Sequence, residues 1–315
     1  MSTSKKHILV TGGAGYLGSI MVPELLRLGH SVTVVDNFMY QQTSLLDCCA
    51  DKNLQIIRGD VRNEELMKKA VAKADVIIPL ACLVGAPLCK LMPIEARTIN
   101  LDAIKMLVDL SSRNQMIVSP TTNSGYGIGE KGKFCTETTP MRPVSLYGKL
   151  KVELEDYLLA SGHAISLRLA TVFGISPRPR LDLLVNDFTF RAVNDRFIVL
   201  FEAHFKRNYI HVRDVTRAFI HAMDNFETMK NEPYNVGLSD ANLSKMELCQ
   251  EIKKQVPEFC VMESEVGEDP DKRDYIVSNE KIEATGFKPK HSLQDGITEL
   301  IKGFQIIRRN QYANI

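Results

Sequence analysis

The sequence predicts an α/β fold, a doubly wound parallel sheet followed by a smaller, mixed α/β lobe. Three observations carry that expectation. A glycine-spaced turn, "LVTGGAGYLGS", follows an apolar run at the N-terminal end of the chain. Short β-rich runs ("HILV", "SVTVVD", "LQIIRGD", "ADVIIPLA", "MIVSP", "AISLRLA") then alternate with helical patterns over 64–73, 95–113 and 147–161. Apolar runs without polar alternation are those of parallel strands buried on both faces. Beyond residue 175 the alternation breaks at Pro177 and Pro179, giving way to short strands ("FIVLFE", "NYIHV") and helices near 214–226 and 244–256. The expected division is therefore a sheet domain over 1–175 and a second lobe over 176–315, with interleaved segments. Right-handed crossovers place all strand C-terminal ends along one edge, where ligands bind in such sheets and which the second lobe should cover.

Composition narrows the classes. The 315 residues, 44% hydrophobic, suffice for a sizeable core and exclude a disordered or fibrous chain. With 39 Lys+Arg against 38 Asp+Glu there is no basic surplus for nucleic acid or a membrane surface. Seven cysteines, an odd number without CxxC or zinc spacing, read as reduced and mostly core, with no metal site. The start, "MSTSKKHILVTGG", has too short an apolar run for a signal peptide and no stretch reaches the length of a membrane span, so a cytoplasmic protein is expected.

The N-terminal turn carries the first chemistry. Gly12, Gly15 and Gly18 sit where a strand passes into a helix. Glycine there gives tightness, close approach of backbone to a pyrophosphate, and close helix packing, while the helix N-terminus offers donors and a positive dipole. That is a Rossmann-type site, with Tyr16 and Leu17 inside the turn. The second strand ends at Asp36, followed by Asn37. A carboxylate there accepts both adenosine ribose hydroxyls and repels a 2′-phosphate, selecting NAD over NADP. Asp60, followed by Val61, ends the next strand and either meets the adenine amino group or caps a turn; Leu80 and Ala81 end the fourth.

"SLYGKLKVELE" sets Tyr147 and Lys151 four apart, on one helix face. A phenol normally titrates near 10, and lowering it by about three units costs on the order of 4 kcal/mol, which an adjacent ammonium and a cationic nicotinamide are expected to supply. The phenolate then takes the proton of a substrate alcohol as hydride leaves the same carbon.

Over essentially its whole length the chain resembles the extended short-chain dehydrogenase/reductase family, the NAD-dependent nucleotide-sugar epimerases and dehydratases. The resemblance rests on "TGGAGYLG", "PLACLVG", Asn100 in "TIN", the Ser/Thr strand before "YG", "YGKLK", "RNYIHVRD" and "GFKP". It implies that Tyr147 is the base, that Lys151 holds the nicotinamide ribose, and that Thr122 polarises the sugar C4 oxygen. It also implies a cofactor contact for Asn100 and a homodimer joined through a four-helix bundle of helices 95–113 and 147–161. In the 4,6-dehydratases of the family the catalytic threonine is followed by Asp and Glu, whereas here Thr122 is followed by Asn123 and Ser124. An amide is no proton donor of carboxylic strength and an ordinary hydroxyl is a poor base, so dehydration is disfavoured. Oxidation at C4 remains, with or without return of the hydride. A narrower resemblance, to bacterial GDP-manno-heptose 4-dehydrogenases of capsule biosynthesis, rests on "NSGYGIGE", "RLATVFGISPR", "RLDLLVNDF" and "GEDPDKRDYIVSN". It implies a GDP-sugar substrate. A C4 or C2 epimerase is the alternative, and a non-catalytic NAD-binding regulator the rival from another class.

The second lobe should grip the diphosphate. Arg207 matches the family's phosphate-binding arginine and Arg273 a second such contact, each with a solvated salt bridge as the alternative. Asn186 matches a phosphate- or sugar-binding asparagine, with a helix cap as the alternative; Thr121, Asn123 and Ser124 complete the substrate candidates. Thr171 stands where many relatives have asparagine. Arg178 and Arg180 either close on the sugar or lie exposed, His211 is expected in packing, and Cys135 is expected to be inert.

Overall fold

The computed structural model describes residues 5–265 and 273–307. In chain order the first half runs β1 (His7–Thr11), α1 (Gly18–Arg27), β2 (Ser31–Asp36), β3 (Leu54–Arg58), α2 (Glu64–Val71), β4 (Val76–Pro79), α3 (Ala86–Leu91), α4 (Pro93–Arg97), α5 (Ala103–Leu110), β5 (Met116–Thr122), β6 (Phe134–Cys135), α6 (Leu146–Ala160), β7 (Ala164–Leu169) and β8 (Thr171–Phe173). The second half adds α7 (Leu184–Asn194), β9 (Phe197–Leu200), β10 (Lys206–His211), α8 (Val212–Asp224), α9 (Phe226–Met229), β11 (Pro233–Val236), β12 (Asn242–Ser244), α10 (Lys245–Gln255), β13 (Cys260–Glu263), β14 (Ile276–Val277), α11 (Glu280–Ala284) and α12 (Leu293–Ile306).

Seven strands form one parallel sheet in the order β11-β7-β5-β4-β1-β2-β3. All six expected apolar runs are in it. The seventh, "PYNV" of β11, comes from the second half of the chain and pairs with β7. Alternate residues of each strand face opposite sides. Ile8, Val10, Val32 and Val34 pack with Met21 and Leu25 of α1 and Phe219 of α8. Leu9, Val35 and Ile77 pack with Met67 of α2, Leu107 of α5 and Leu154 of α6. Direction along the sheet switches between β1 and β4, opening a crevice above their ends.

The long helix expected over 95–113 differs. It runs as α4, a π turn over Thr98–Asp102, and α5, ending at Leu110. The extra residue in the turn lets buried Asn100 aim its amide at the loop after β4, where Oδ1 accepts from Leu83 N and Nδ2 donates to Leu83 O, both at 2.8 Å. Around the sheet edge sit β8-β10-β12, β9-β13 and β6-β14, with α7, α10 and α12 continuing the apolar core.

Candidate active site

A cavity of about 750 Å³ lies over the crevice. At one end the glycine turn forms its floor. Gly12 has φ +68°, and a Cβ there would stand 2.6 Å from Ala81 N; one on Gly18 would stand 2.3 Å from Gly13 O. Gly15 meets only Gly12 O, at 3.1 Å, so its open side is left for a ligand. Helix α1 starts without a side-chain cap or an acidic residue in its first turn, which suits a pyrophosphate. Asp36, at the end of β2, accepts from Ala14 N (3.0 Å), Phe38 N (2.8 Å) and Gln42 Nε2 (3.3 Å). Burial raises its pKa above the ordinary aspartate value, partly offset by those bonds. Asn37, Asp60, Val61, Leu80 and Ala81 line the same end, and these residues fit NAD. Asp60 is tied to Arg62 by a 2.6 Å ion pair and accepts from its N–H, which holds its carboxyl below the ordinary range; it both lines the cavity and braces its turn.

The same cavity is lined by Thr122, Ser124, Tyr147 and Lys151. Helix α6 begins at Ser145, whose Oγ accepts from Gly148 N at 3.1 Å. Tyr147 and Lys151 follow on one face, and Lys151 Nζ donates to Pro120 O at 3.2 Å. Thr122 Oγ1 accepts from Ser124 N (3.1 Å) and donates to Ser124 Oγ (3.0 Å), and Arg273 Nη1 donates to that same Oγ. The lowered phenol pKa that an adjacent ammonium and a cationic nicotinamide are expected to supply together is absent from the protein alone. Burial raises its pKa far above 10, Cys82 and Cys89 add to the rise, and Arg180 and Arg273 only moderate it.

Cations line the rest. Arg207, Arg273 and Lys245 border the cavity, and so do Arg178 and Arg180, buried rather than exposed. Arg178 lies over the Tyr40 ring at 4.3 Å, and Arg180 pairs with Asp182. Three expected contacts, Asn100, Asn186 and Asn123, do not line the cavity, and a fourth, Thr121, lines it with its hydroxyl committed elsewhere. Asn100 is spent on Leu83. Asn186 accepts from Gly174 N (3.0 Å) and donates to Arg180 O (2.8 Å), so it clasps the loop that carries the arginines. The Thr121 hydroxyl turns from the cavity to Glu155 (3.0 Å) and Ser166 (2.7 Å). Asn123 is 1% exposed and neither amide atom has a partner. Tyr16 lines the cavity with its ring, but its hydroxyl donates to Gly174 O at 2.8 Å. His211 is fully buried against Glu299 at 2.8 Å, and Cys135 is buried with its thiol pKa raised by burial. Residues 267–272 of "GEDPDKRDYIVSN" lie outside the described residues.

Sequence reading missed Tyr40, Cys82, Lys245 and Glu155. Glu155 alone carried a signal, since it continues the four-residue spacing of Tyr147 and Lys151.

A glycine turn at a helix N-terminus, a buried carboxylate at the end of β2, and a phenol and a lysine on one face of α6 all border one cavity. Comparison with known proteins gives the class its family: a model of the NAD dependent epimerase/dehydratase family matches residues 8–237, and the chain belongs to that family of NAD-dependent enzymes. It is 27% identical to a UDP-glucose 4-epimerase of Corynebacterium glutamicum, covering 90% of this chain and 91% of that one. It is also 27% identical to a dTDP-glucose 4,6-dehydratase of Streptomyces niveus, over 95% and 93% of the two chains. Among solved structures, the UDP-glucose 4-epimerase of Thermus thermophilus in complex with NAD superposes with a TM-score of 0.81 at 25% identity, covering 95% of this chain and 99% of that one. No helix among the described residues is long and apolar enough to cross a membrane.

Proposed function

We propose that the protein oxidises the C4 hydroxyl of a nucleotide-activated sugar and releases the ketone, and more narrowly that it is a cytoplasmic GDP-manno-heptose 4-dehydrogenase of capsule or surface-polysaccharide biosynthesis. One observation carries the reading. Thr122, Tyr147 and Lys151 border one cavity with the glycine turn, while the residues after Thr122 are an orphaned amide and a hydroxyl rather than a carboxylic pair. The two residues that follow Thr122 thus offer neither a carboxylic acid nor a carboxylate for expelling water.

In this reading Tyr147 takes the proton of the C4 hydroxyl, the Thr122 hydroxyl holds the C4 oxygen, and Lys151 holds the nicotinamide ribose. Bound NAD supplies the acceptor for the hydride leaving C4. Arg207 and Arg273 meet the diphosphate with planar, paired donors. The GDP preference rests on "RLATVFGISPR" and "RLDLLVNDF", which form β8, the loop carrying Arg178 and Arg180, and α7. A homodimer through α5 and α6 belongs to the same proposal. These two helices lie side by side, and α3 and α4, which contact α6, expose Leu91 and Ile94.

The second reading, an epimerase that returns the hydride, is favoured by the C. glutamicum relative. Absorbance of reduced nicotinamide, followed with GDP-, UDP-, CDP- and dTDP-sugars including a GDP-heptose, separates the two. A lasting rise with one sugar supports the dehydrogenase; a new isomeric sugar without a lasting rise replaces it with the epimerase.

A further inference from the structure

Tyr147, Lys151 and Glu155 occupy one face of α6 at four-residue steps. The first two reach the cavity. Glu155 lies a turn further along, 4% exposed, and its carboxylate is saturated. Oε2 accepts from Thr121 Oγ1 (3.0 Å) and Ser166 Oγ (2.5 Å), while Oε1 accepts from Arg168 Nη2 (2.6 Å) and Nε (3.0 Å). Arg168, 5% exposed, extends the connection: Nη1 donates to Tyr126 Oη at 2.9 Å and to Glu137 O at 3.1 Å, and Tyr126 Oη donates to Asn235 Oδ1 of β11 at 2.7 Å.

The chain positions matter. Thr121 immediately precedes Thr122, and Tyr126 closes the turn Asn123–Tyr126 that follows it. One carboxylate therefore joins the helix carrying Tyr147 and Lys151 to the strand and turn that present Thr122. Stability alone is a poor reason for such a pair, because apolar residues of similar volume often serve a buried position equally well or better. Geometry is the better reason: a guanidinium fork and two hydroxyls fix both carboxylate oxygens in direction and distance, whereas apolar packing resists small rotations and slides of a helix weakly.

We propose that Glu155 is the positioning residue of this site, its carboxylate setting α6 against β5 so that Tyr147 and Lys151 stand opposite the Thr122 hydroxyl. This rests on the reading of Tyr147 as the proton acceptor.

The test uses full-length, NAD-loaded protein carrying Glu155→Met together with Arg168→Met. The readout is the titration of Tyr147, taken as near-ultraviolet phenolate absorbance minus that of the matching protein with Tyr147→Phe. The titratable and charged groups acting on Tyr147 are Cys82, Cys89, Arg180 and Arg273, none altered by the double substitution. The expected result is near-normal thermal stability with the Tyr147 midpoint raised by about one pH unit, because the phenol drifts from the cations that favour its ionised form. For the nucleotide sugar that turns over in the panel above, kcat is expected to fall about 10-fold or more with KM within about twofold.

A well-folded double variant with an unchanged midpoint and unchanged kcat overturns the proposal. If the double variant does not fold, Ser166→Ala decides, because it removes one hydroxyl from Glu155 and leaves the ion pair; a shift in the same direction supports the proposal and an unmoved midpoint overturns it. Turnover that survives Tyr147→Phe alone defeats the reading of the base instead, so the two failures are distinguishable.

Discussion

Replacing Asp36 by Asn tests the cofactor end on two scales at once. The carboxylate receives Ala14 N–H on one oxygen and Phe38 N–H on the other, so an amide must turn its NH2 toward one of those donors. One buried N–H is then left without an acceptor, costing about 1–3 kcal/mol, or on the order of 5 °C in Tm for a chain of this size. The ribose loses one charge-assisted bond worth about 1.5–3 kcal/mol, which weakens NAD binding by about 10- to 150-fold. The same change removes the negative charge facing a 2′-phosphate, so the preference for NAD over NADP narrows. Titration of protein fluorescence with NADH and NADPH, on wild type and variant, measures both. Acid should imitate the substitution. Burial raises the Asp36 pKa, so as pH falls toward and through that raised value, above the ordinary aspartate value of about 4, the proton arrives and NAD affinity drops. Wild-type protein that binds NADPH as tightly as NADH, or Asp36→Asn protein whose NADH affinity stays within about twofold of normal, refutes the ribose assignment.

Three further outcomes are expected. In protein without NAD, burial keeps the Tyr147 phenol neutral well above pH 10, and saturating NAD should bring its titration downward; a difference spectrum against Tyr147→Phe that NAD leaves unmoved contradicts the acidifying role of the nicotinamide. Gly18→Ala drives a Cβ to 2.3 Å from Gly13 O, which should cost about 1–3 kcal/mol or more and weaken NAD binding, seen in paired melting and binding curves. Burial alone pushes Asp214 up, but Lys290 N, His291 N and Arg217 together hold its carboxyl below the ordinary range. Its contribution is thus present above the unfolded value of about 4 and lost as pH falls through the depressed one. Asp214→Ala, leaving those donors unmatched, should cost about 3–5 kcal/mol at pH 7 by denaturant unfolding.

What was legible in the sequence followed from periodicity within single elements. β1, β2, β4, β5 and β7 announce themselves because strands buried on both faces cannot alternate, and Tyr147 with Lys151 because a helix returns to the same face every four residues. Gly12, Gly15 and Gly18 were legible because the turn imposes backbone requirements that few residues meet. β11 was not: "PYNV" is four residues long and becomes a strand only because β7 offers it an edge. The fate of Thr121 was equally hidden. Nothing in "SPTTNS" says which of two adjacent threonines commits its hydroxyl away from the cavity, since that depends on Glu155, Ser166 and Arg168 arriving from α6 and β7. The π turn that breaks the helix expected over 95–113 answers to Leu83, a residue in a different loop.

The same dependence across elements bears on how the two halves of the chain share the site. Tyr16, inside the glycine turn, donates its hydroxyl to Gly174 O, and Asn186 grips Gly174 and Arg180 from the far end of that loop. Arg178 then reaches back over Tyr40, in the segment after β2. The loop is thus held at the cofactor turn, at α7 and at the Asp36 side. A chain ending at 175 would lose the ties through Asn186 and Arg178, expose the β7 edge that β11 covers, and leave Tyr126 without Asn235. The dinucleotide end is therefore completed by residues the glycine motif gives no hint of, and the machinery around Thr122 by a strand whose sequence lies more than a hundred residues downstream.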